Sequence, residues 1–153
     1  MALLVGVEYC KVDAQGRIKM PVALKKQLEL SEDLRFFVRR SIYSECLELF
    51  TYEAFQIEVG VLQKSLNPYD PESKRLYRRF IEGNMIELDG FDRLLLPDSM
   101  RKQVHITKDV VLLGAGNYLE IWNKEAYEKT SADSFDYQQA AKKLLSKTEE
   151  NDR

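Results

Sequence analysis

The chain has 153 residues, 44% of them hydrophobic and 31% charged, enough for one compact unit or two small halves around a real core. Its net charge of −2 argues against binding nucleic acid by bulk attraction but leaves room for a local basic patch. No apolar run approaches the roughly 20 residues of a membrane span, and Cys10 and Cys46 stand far apart with no CxxC or histidine partner, so they read as reduced thiols of a cytoplasmic protein.

In chain order, MALLVGV is apolar but has no basic leader and meets Glu8 at once, which predicts a strand and not a secretion signal. VDAQGRIKMP (12–21) then opens a tight turn at Asp13, with Gly16 able to take the positive φ such a turn often needs. In RIKMP, Ile18 and Met20 alternate with Arg17 and Lys19 at the period of a half-buried strand. Pro21 suits the first turn of a helix, and VALKKQLEL puts Leu24 and Leu28 on one stripe with Lys25, Lys26 and Glu29 elsewhere. DLRFFV and CLELF read as a hairpin, and Thr51 as the N-cap of a helix beginning YEAF. NPYDPES is a loop. KRLYRRFIEG is an amphipathic helix with Leu76 and Phe80 at i, i+4 and Gly83 at its end. After LDGFDRLLLP (88–97), GAGNYLEIW reads as a hairpin turn and strand, because its Gly-x-Gly has no third glycine and no helix to cradle a phosphate. Asn123 caps a helix beginning KEAY, and beyond about Asp133 one helix, DYQQAAKKLLSK, precedes a charged tail.

The two turn segments belong to an internal repeat. A shift of 76 residues lays Asp13 on Asp89, Arg17 on Arg93, Pro21 on Pro97, Lys26-Gln27 on Lys102-Gln103 and Asp33 on Asp109. Four extra residues near RRSIYSEC then separate the halves, after which CLELFTYEAF (46–55) matches YLEIWNKEAY (118–127). The expected organisation is a first repeat over 3–66, a linker helix over 67–83, a second repeat over 84–130, and a C-terminal helix with its tail over 131–153. Each unit is strand, turn, strand, short helix, hairpin, helix. One unit has little core of its own, and pairing two buries the apolar faces of both.

KVDAQGRIKMPVALKKQL resembles the swapped-hairpin DNA-binding fold of the AbrB type. The tandem form, with the same Arg-to-Pro spacing in both halves and LEIWNKEAY near the end, is similar to the MraZ family over about residues 3 to 130. The resemblance implies an α+β, mainly β fold, a double-split β-barrel of two tandem swapped hairpins with flanking helices. It also implies a nucleoid-associated, sequence-specific transcriptional regulator acting on the promoter of the cell-division and cell-wall gene cluster, its own gene included. The implied partners are double-stranded DNA with short G-containing direct repeats and further copies of the chain in a closed ring. No cofactor, metal, membrane or small-molecule substrate is expected.

The family's functional residues lie on the Asp-x-x-x-Arg motif, which here means Asp13 and Arg17, then Asp89 and Arg93. A turn arginine presents a rigid fork suited to guanine O6 and N7 or to a phosphate. Asp13 can hold the turn by accepting backbone N–H bonds, with Gly16 completing it. Lys11, Lys19, Lys25 and Lys26 are expected on phosphates, setting register. The second motif departs from the first: Asp92 replaces the glycine, Gly90 is expected to rebuild the turn, and Glu87 stands where the first half has Lys11. An acid beside Arg93 should partly neutralise it, so Arg17 is the expected main contact and Arg93 the lesser one.

The remaining features read plainly. KRLYRRF is a solvated helix face, His105 aligns with Glu29 and should lie on the surface of a helix, and Trp122 aligns with Phe50 as a core residue. No nucleophile sits beside a base and no metal-ligand set occurs, so an enzyme is not expected. The competing readings are a ring-forming scaffold that does not bind DNA and an antitoxin-like DNA-binding module, the latter weakened by the presence of two units and only a short tail.

Overall fold

The structure, a computed structural model, describes residues 2–28, 33–133 and 135–151. In chain order it runs β1 (Val7–Lys11), β2 (Arg17–Lys19), α1 (Val22–Leu28), β3 (Arg35–Arg40), β4 (Cys46–Thr51), α2 (Tyr52–Ser65), α3 (Pro71–Phe80), β5 (Asn84–Glu87), β6 (Arg93–Leu95), α4 (Asp98–Gln103), β7 (Asp109–Gly114), β8 (Tyr118–Asn123), α5 (Lys124–Ala132) and α6 (Tyr137–Asn151). The fold is α+β. Among the described residues no helix is long and apolar enough to cross a membrane.

Six strands form one antiparallel sheet in the order β1-β7-β8-β4-β3-β5, and β2 pairs with β6 in a separate two-stranded ribbon. The strands of the two halves therefore interleave. Two pairings show how the sequence repeat becomes a local two-fold: Glu48 lies opposite Glu120, and Ile18 opposite Leu94, each residue facing its own counterpart.

The sheet does not close into the expected double-split β-barrel. Among the described residues the sheet ends at β1 on one side and β5 on the other, and β2 joins the end of the β1 segment through the isolated bridge Val12↔Ile18 and not through a ladder. The tight turn after β1 is the reason: it carries β2 out of the sheet to pair with β6. The ribbon lies across the sheet, and the space between them is the main core. Strand alternation sends Phe36, Val38, Leu47, Leu49, Val110, Leu112, Leu119 and Ile121 into it, where they meet Ile18, Met20, Leu94 and Leu96.

The opposite face of the sheet carries two smaller clusters. Phe37 and Phe50 pack with Ala54 and Phe55 of α2, and Cys46, Val111 and Trp122 with Ala126 and Tyr127 of α5. Trp122 is thus buried as expected, but in a satellite cluster under α5, while its counterpart Phe50 sits under α2. Both N-caps form: Thr51 Oγ1 accepts from the Ala54 amide at 3.1 Å and Asn123 Oδ1 from the Ala126 amide at 3.0 Å. GAGNYLEIW is a hairpin turn, with Gly116 at φ 93 and strand β8 following.

Several local readings change: the strand expected from MALLVGV begins only at Val7, and the last three residues of NPYDPES open α3. Pro21 and Pro97 stand one place before their helices, where their carbonyls accept the first helical bonds from Lys25 and Arg101. Helix α3 ends at Phe80, before Gly83. Gly83 serves the close approach of the chain to β3, where a Cβ would run into the Val38 carbonyl and the Phe37 ring. Leu76 is left exposed while Phe80 is buried. His105 is on the surface, but in the turn after α4 and in the left-handed region at φ 58.

The repeat also aligns differently past the first helix. The hairpins pair Phe36 with Thr51 and Val110 with Asn123, so Phe36 is the counterpart of Val110 and Asp33 is not that of Asp109. Only two of the four extra residues fall between β3 and β4; the other two precede β3.

Candidate nucleic-acid interface

The two Asp-x-x-x-Arg turns have the same construction. Asp13 Oδ1 accepts from the amides of Gln15 and Arg17, both at 2.9 Å. The Asp13 amide donates to the Arg17 carbonyl at 2.9 Å, and the Gly16 amide to the Asp13 carbonyl at 3.0 Å. In the second turn Asp89 Oδ1 accepts from Phe91 at 2.8 Å and Arg93 at 2.9 Å, with matching backbone bonds. The backbone N–H of the arginine four places on is the chief reason each aspartate is held below the usual carboxylate range. A lowered folded-state value means that the stability each contributes is fully present above the ordinary aspartate range and is lost as pH falls through the lower folded value. At neutral pH both are ionised.

The left-handed residue of the first turn is Gly16 at φ 84, as expected. In the second it is Asp92 itself, at φ 61, and Gly90 does not rebuild the turn. Aspartate is among the few residues that enter this region readily.

Because Ile18 and Leu94 point into the core, the neighbouring side chains of the ribbon face outward. The register sets Arg17 opposite Leu95 and Lys19 opposite Arg93. Lys19 and Leu95 are exposed, and Arg17 and Arg93 partly so. The ribbon thus carries three cations on one face, with an exposed leucine between them and the exposed Phe91 beside Arg93.

These cations are not equivalent. Arg93 Nε bonds Asp89 Oδ2 at 2.9 Å, and its guanidinium carbon lies 5.0 Å from the centre of the Phe91 ring. Among the described residues no carboxylate lies within ion-pair distance of the Arg17 guanidinium. Asp92 does not neutralise Arg93: its Oδ2 lies 2.9 Å from Lys25 Nζ. The expected lysines are therefore distributed. Lys19 joins the arginines on the ribbon, Lys25 is engaged with Asp92, Lys26 is exposed on α1, and Lys11 ends the edge strand β1 opposite Asp109. Phe91, Leu95 and Arg101 were not anticipated. Arg101 had a signal in the repeat, since the shift of 76 lays Lys25 on it. Among the described residues no group of His, Cys, Asp or Glu is placed to hold a metal ion.

A family model described as "MraZ protein, putative antitoxin-like" matches residues 80–147. A "Transcriptional regulator MraZ" of Flavobacterium psychrophilum is 40% identical over 135 residues, 88% of this chain and 85% of that protein. The chain belongs to the MraZ family. Relatives of the same name from Christiangramia forsetii and Bacteroides fragilis are 38% and 30% identical, over 89% and 84% of this chain and 88% and 82% of their own. In this MraZ chain the family model takes in the second turn and not the first.

Proposed function

We propose that this MraZ-family chain is a sequence-specific transcriptional regulator that reads double-stranded DNA with the outer face of the β2–β6 ribbon. The observation that carries the reading is that face: Arg17, Lys19 and Arg93 project from a two-stranded ribbon anchored by Ile18 and Leu94 in the core. A ribbon of this kind fits the major groove, and a bidentate arginine on guanine is the commonest specific contact there. Arg17 reads a guanine, while Lys11, Lys19 and Lys26 steady the backbone. Arg93 contributes less because Asp89 holds it.

In this reading residues 3–66 and 84–130 act as tandem swapped-hairpin units, with 67–83 as the linker and 131–153 as the C-terminal helix and tail. The target is a promoter with short G-containing direct repeats, that of the cell-division and cell-wall genes and of the chain's own gene, on the nucleoid in the cytoplasm. Copies of the chain close into a ring, so that several weak contacts add through effective concentration, which lets an acidic protein bind.

Fluorescence anisotropy with DNA from upstream of the gene should show binding that survives non-specific competitor. Log K should fall with log salt at roughly −0.9 per phosphate contact. An affinity indifferent to salt would remove DNA from the account and favour the scaffold reading. Light scattering should return one discrete mass well above the 17.9 kDa of the chain. A monomer at micromolar concentration would exclude the ring.

A further inference from the structure

We infer that Lys25 and Arg101 are positioning residues, each clamping the DNA-reading turn of the opposite repeat, and that Lys25 is not a phosphate contact. The inference rests on the proposed DNA-reading role of the turns.

The two turns are cross-bonded. The Met20 amide donates to the Asp92 carbonyl at 2.8 Å, and the Leu96 amide to the Gly16 carbonyl at 3.1 Å. These bonds bring the apex of each turn beside the helix that follows the other turn. From α1, Lys25 reaches the Asp92 carboxylate at 2.9 Å. From α4, the Arg101 guanidinium lies against Gly16, so close that a Cβ there would stand 2.7 Å from Nη2 and 2.8 Å from Cζ. Arg101 is itself held by the Leu96 carbonyl at 3.3 Å and by Asp98 at 3.2 Å.

The repeat makes these two contacts one device with exchanged chemistry. The shift of 76 lays Lys25 on Arg101 and Gly16 on Asp92. Where the turn has glycine, the helix supplies the broad guanidinium, which fills the space over the bare backbone. Where the turn has aspartate, the helix supplies lysine, which pairs with it. The departure from the glycine pattern at Asp92 is thus matched by its partner, and the left-handed backbone there holds a carboxylate in use. Arg17 and Arg93 each follow the clamped residue directly, so the clamp fixes the backbone from which each fork departs. A bidentate arginine contact to a base depends on that geometry, whereas a lysine meets a phosphate as a point charge.

The experiment uses the full chain and four variants: Lys25→Ala, Asp92→Asn, the double variant and Lys25→Arg. Asparagine keeps the left-handed backbone and removes the charge. The pair is partly exposed and lies outside the core, so all four should fold, with circular dichroism as the control. Two readouts are taken: amide hydrogen exchange at Met20 without DNA, and discrimination between the promoter duplex and a scrambled duplex across a salt series. Lys25→Ala and Asp92→Asn should each quicken Met20 exchange and reduce discrimination by about two- to fivefold, the range of an exposed ion pair. The double variant should be no worse than the poorer single one, Lys25→Arg should restore discrimination, and the salt slope should stay at its wild-type value. In parallel, Arg101→Ala should quicken exchange at Leu96. If Lys25→Ala instead flattens the slope by about one unit and leaves Met20 exchange unchanged, Lys25 is a phosphate contact and the clamp is refuted; additive losses in the double variant would refute it too. If the wild type showed no preference for any duplex, the DNA reading would fall, and Met20 and Leu96 exchange would still decide whether the clamps exist.

Discussion

Arg39→Ala is expected to destabilise the protein by about 3–5 kcal/mol, the cost of leaving one partner of a buried ion pair uncompensated. Arg39 is 5% exposed and lies on the sheet face opposite the main core, beside the aromatic cluster under α2. Its Nε meets Glu48 Oε1 at 2.9 Å and its Nη1 donates to the Phe80 carbonyl at 2.9 Å. The guanidinium carbon lies 3.9 Å from the centre of the Phe80 ring and 5.0 Å from that of Phe50. It therefore fastens the end of α3 to the sheet as well as neutralising Glu48. The local two-fold makes that charge costly, because Glu48 lies directly opposite Glu120. Removing Arg39 would leave two carboxylates facing each other with one cation gone. Urea denaturation should show the loss as a lower midpoint at unchanged slope. The double variant Arg39→Leu, Glu48→Leu should recover most of it, since replacing a whole buried pair with apolar groups is often neutral. A loss below about 1 kcal/mol for Arg39→Ala, the value of an exposed pair, would mean that water reaches the site.

On the functional side, Arg17→Ala should abolish or severely weaken specific DNA binding, while Arg93→Ala should cost less. A bidentate guanine contact carries about 1–3 kcal/mol of discrimination per site, and repetition around a ring multiplies the loss. The difference between the two arginines is geometric. Arg93 is held by Asp89 at 2.9 Å and flanked by Phe91, so its fork must leave a partner before it can bind a base. Arg17 has the same turn beneath it and no such partner among the described residues. Both variants should keep the fold, because the backbone bonds to Asp13 and Asp89 come from amides, not from the guanidinium groups. Anisotropy on promoter DNA, with circular dichroism beside it, separates the cases. Normal binding by Arg17→Ala with loss in Arg93→Ala would move the reading head to the second turn. Failure of Arg17→Ala to fold would make the arginine a structural element of its turn.

Much of the candidate site was legible from residues alone because its bonds are short-range. An aspartate that accepts from amides two and four places on, a left-handed glycine and an alternating strand are all written within ten residues, as are the caps at Thr51 and Asn123. The repeat added that whatever the first turn does has a counterpart, and comparison with Asp13 and Arg17 singled out Asp89 and Arg93.

What the sequence could not specify is which distant segment each element meets. Alternation marks Ile18 and Leu94 as inward-facing, yet it does not say that β2 leaves β1 to pair with β6, and the family resemblance implied a double-split β-barrel where the sheet of the described residues keeps two edges, β1 and β5. Adjacency in the sequence put Asp92 beside Arg93 and made it a liability. In the folded chain the aspartate turns to Lys25, and Arg93 turns to Asp89. Likewise nothing in the order of residues joins Arg39 to Glu48; the strand register and α3 bring them together and enclose them. Hydrogen bonding within a turn is a property of one segment, and so sequence by itself determined it. Strand pairing, ion-pair choice and burial are joint properties of two, and only the tertiary structure, by satisfying both apolar faces at once, decided them.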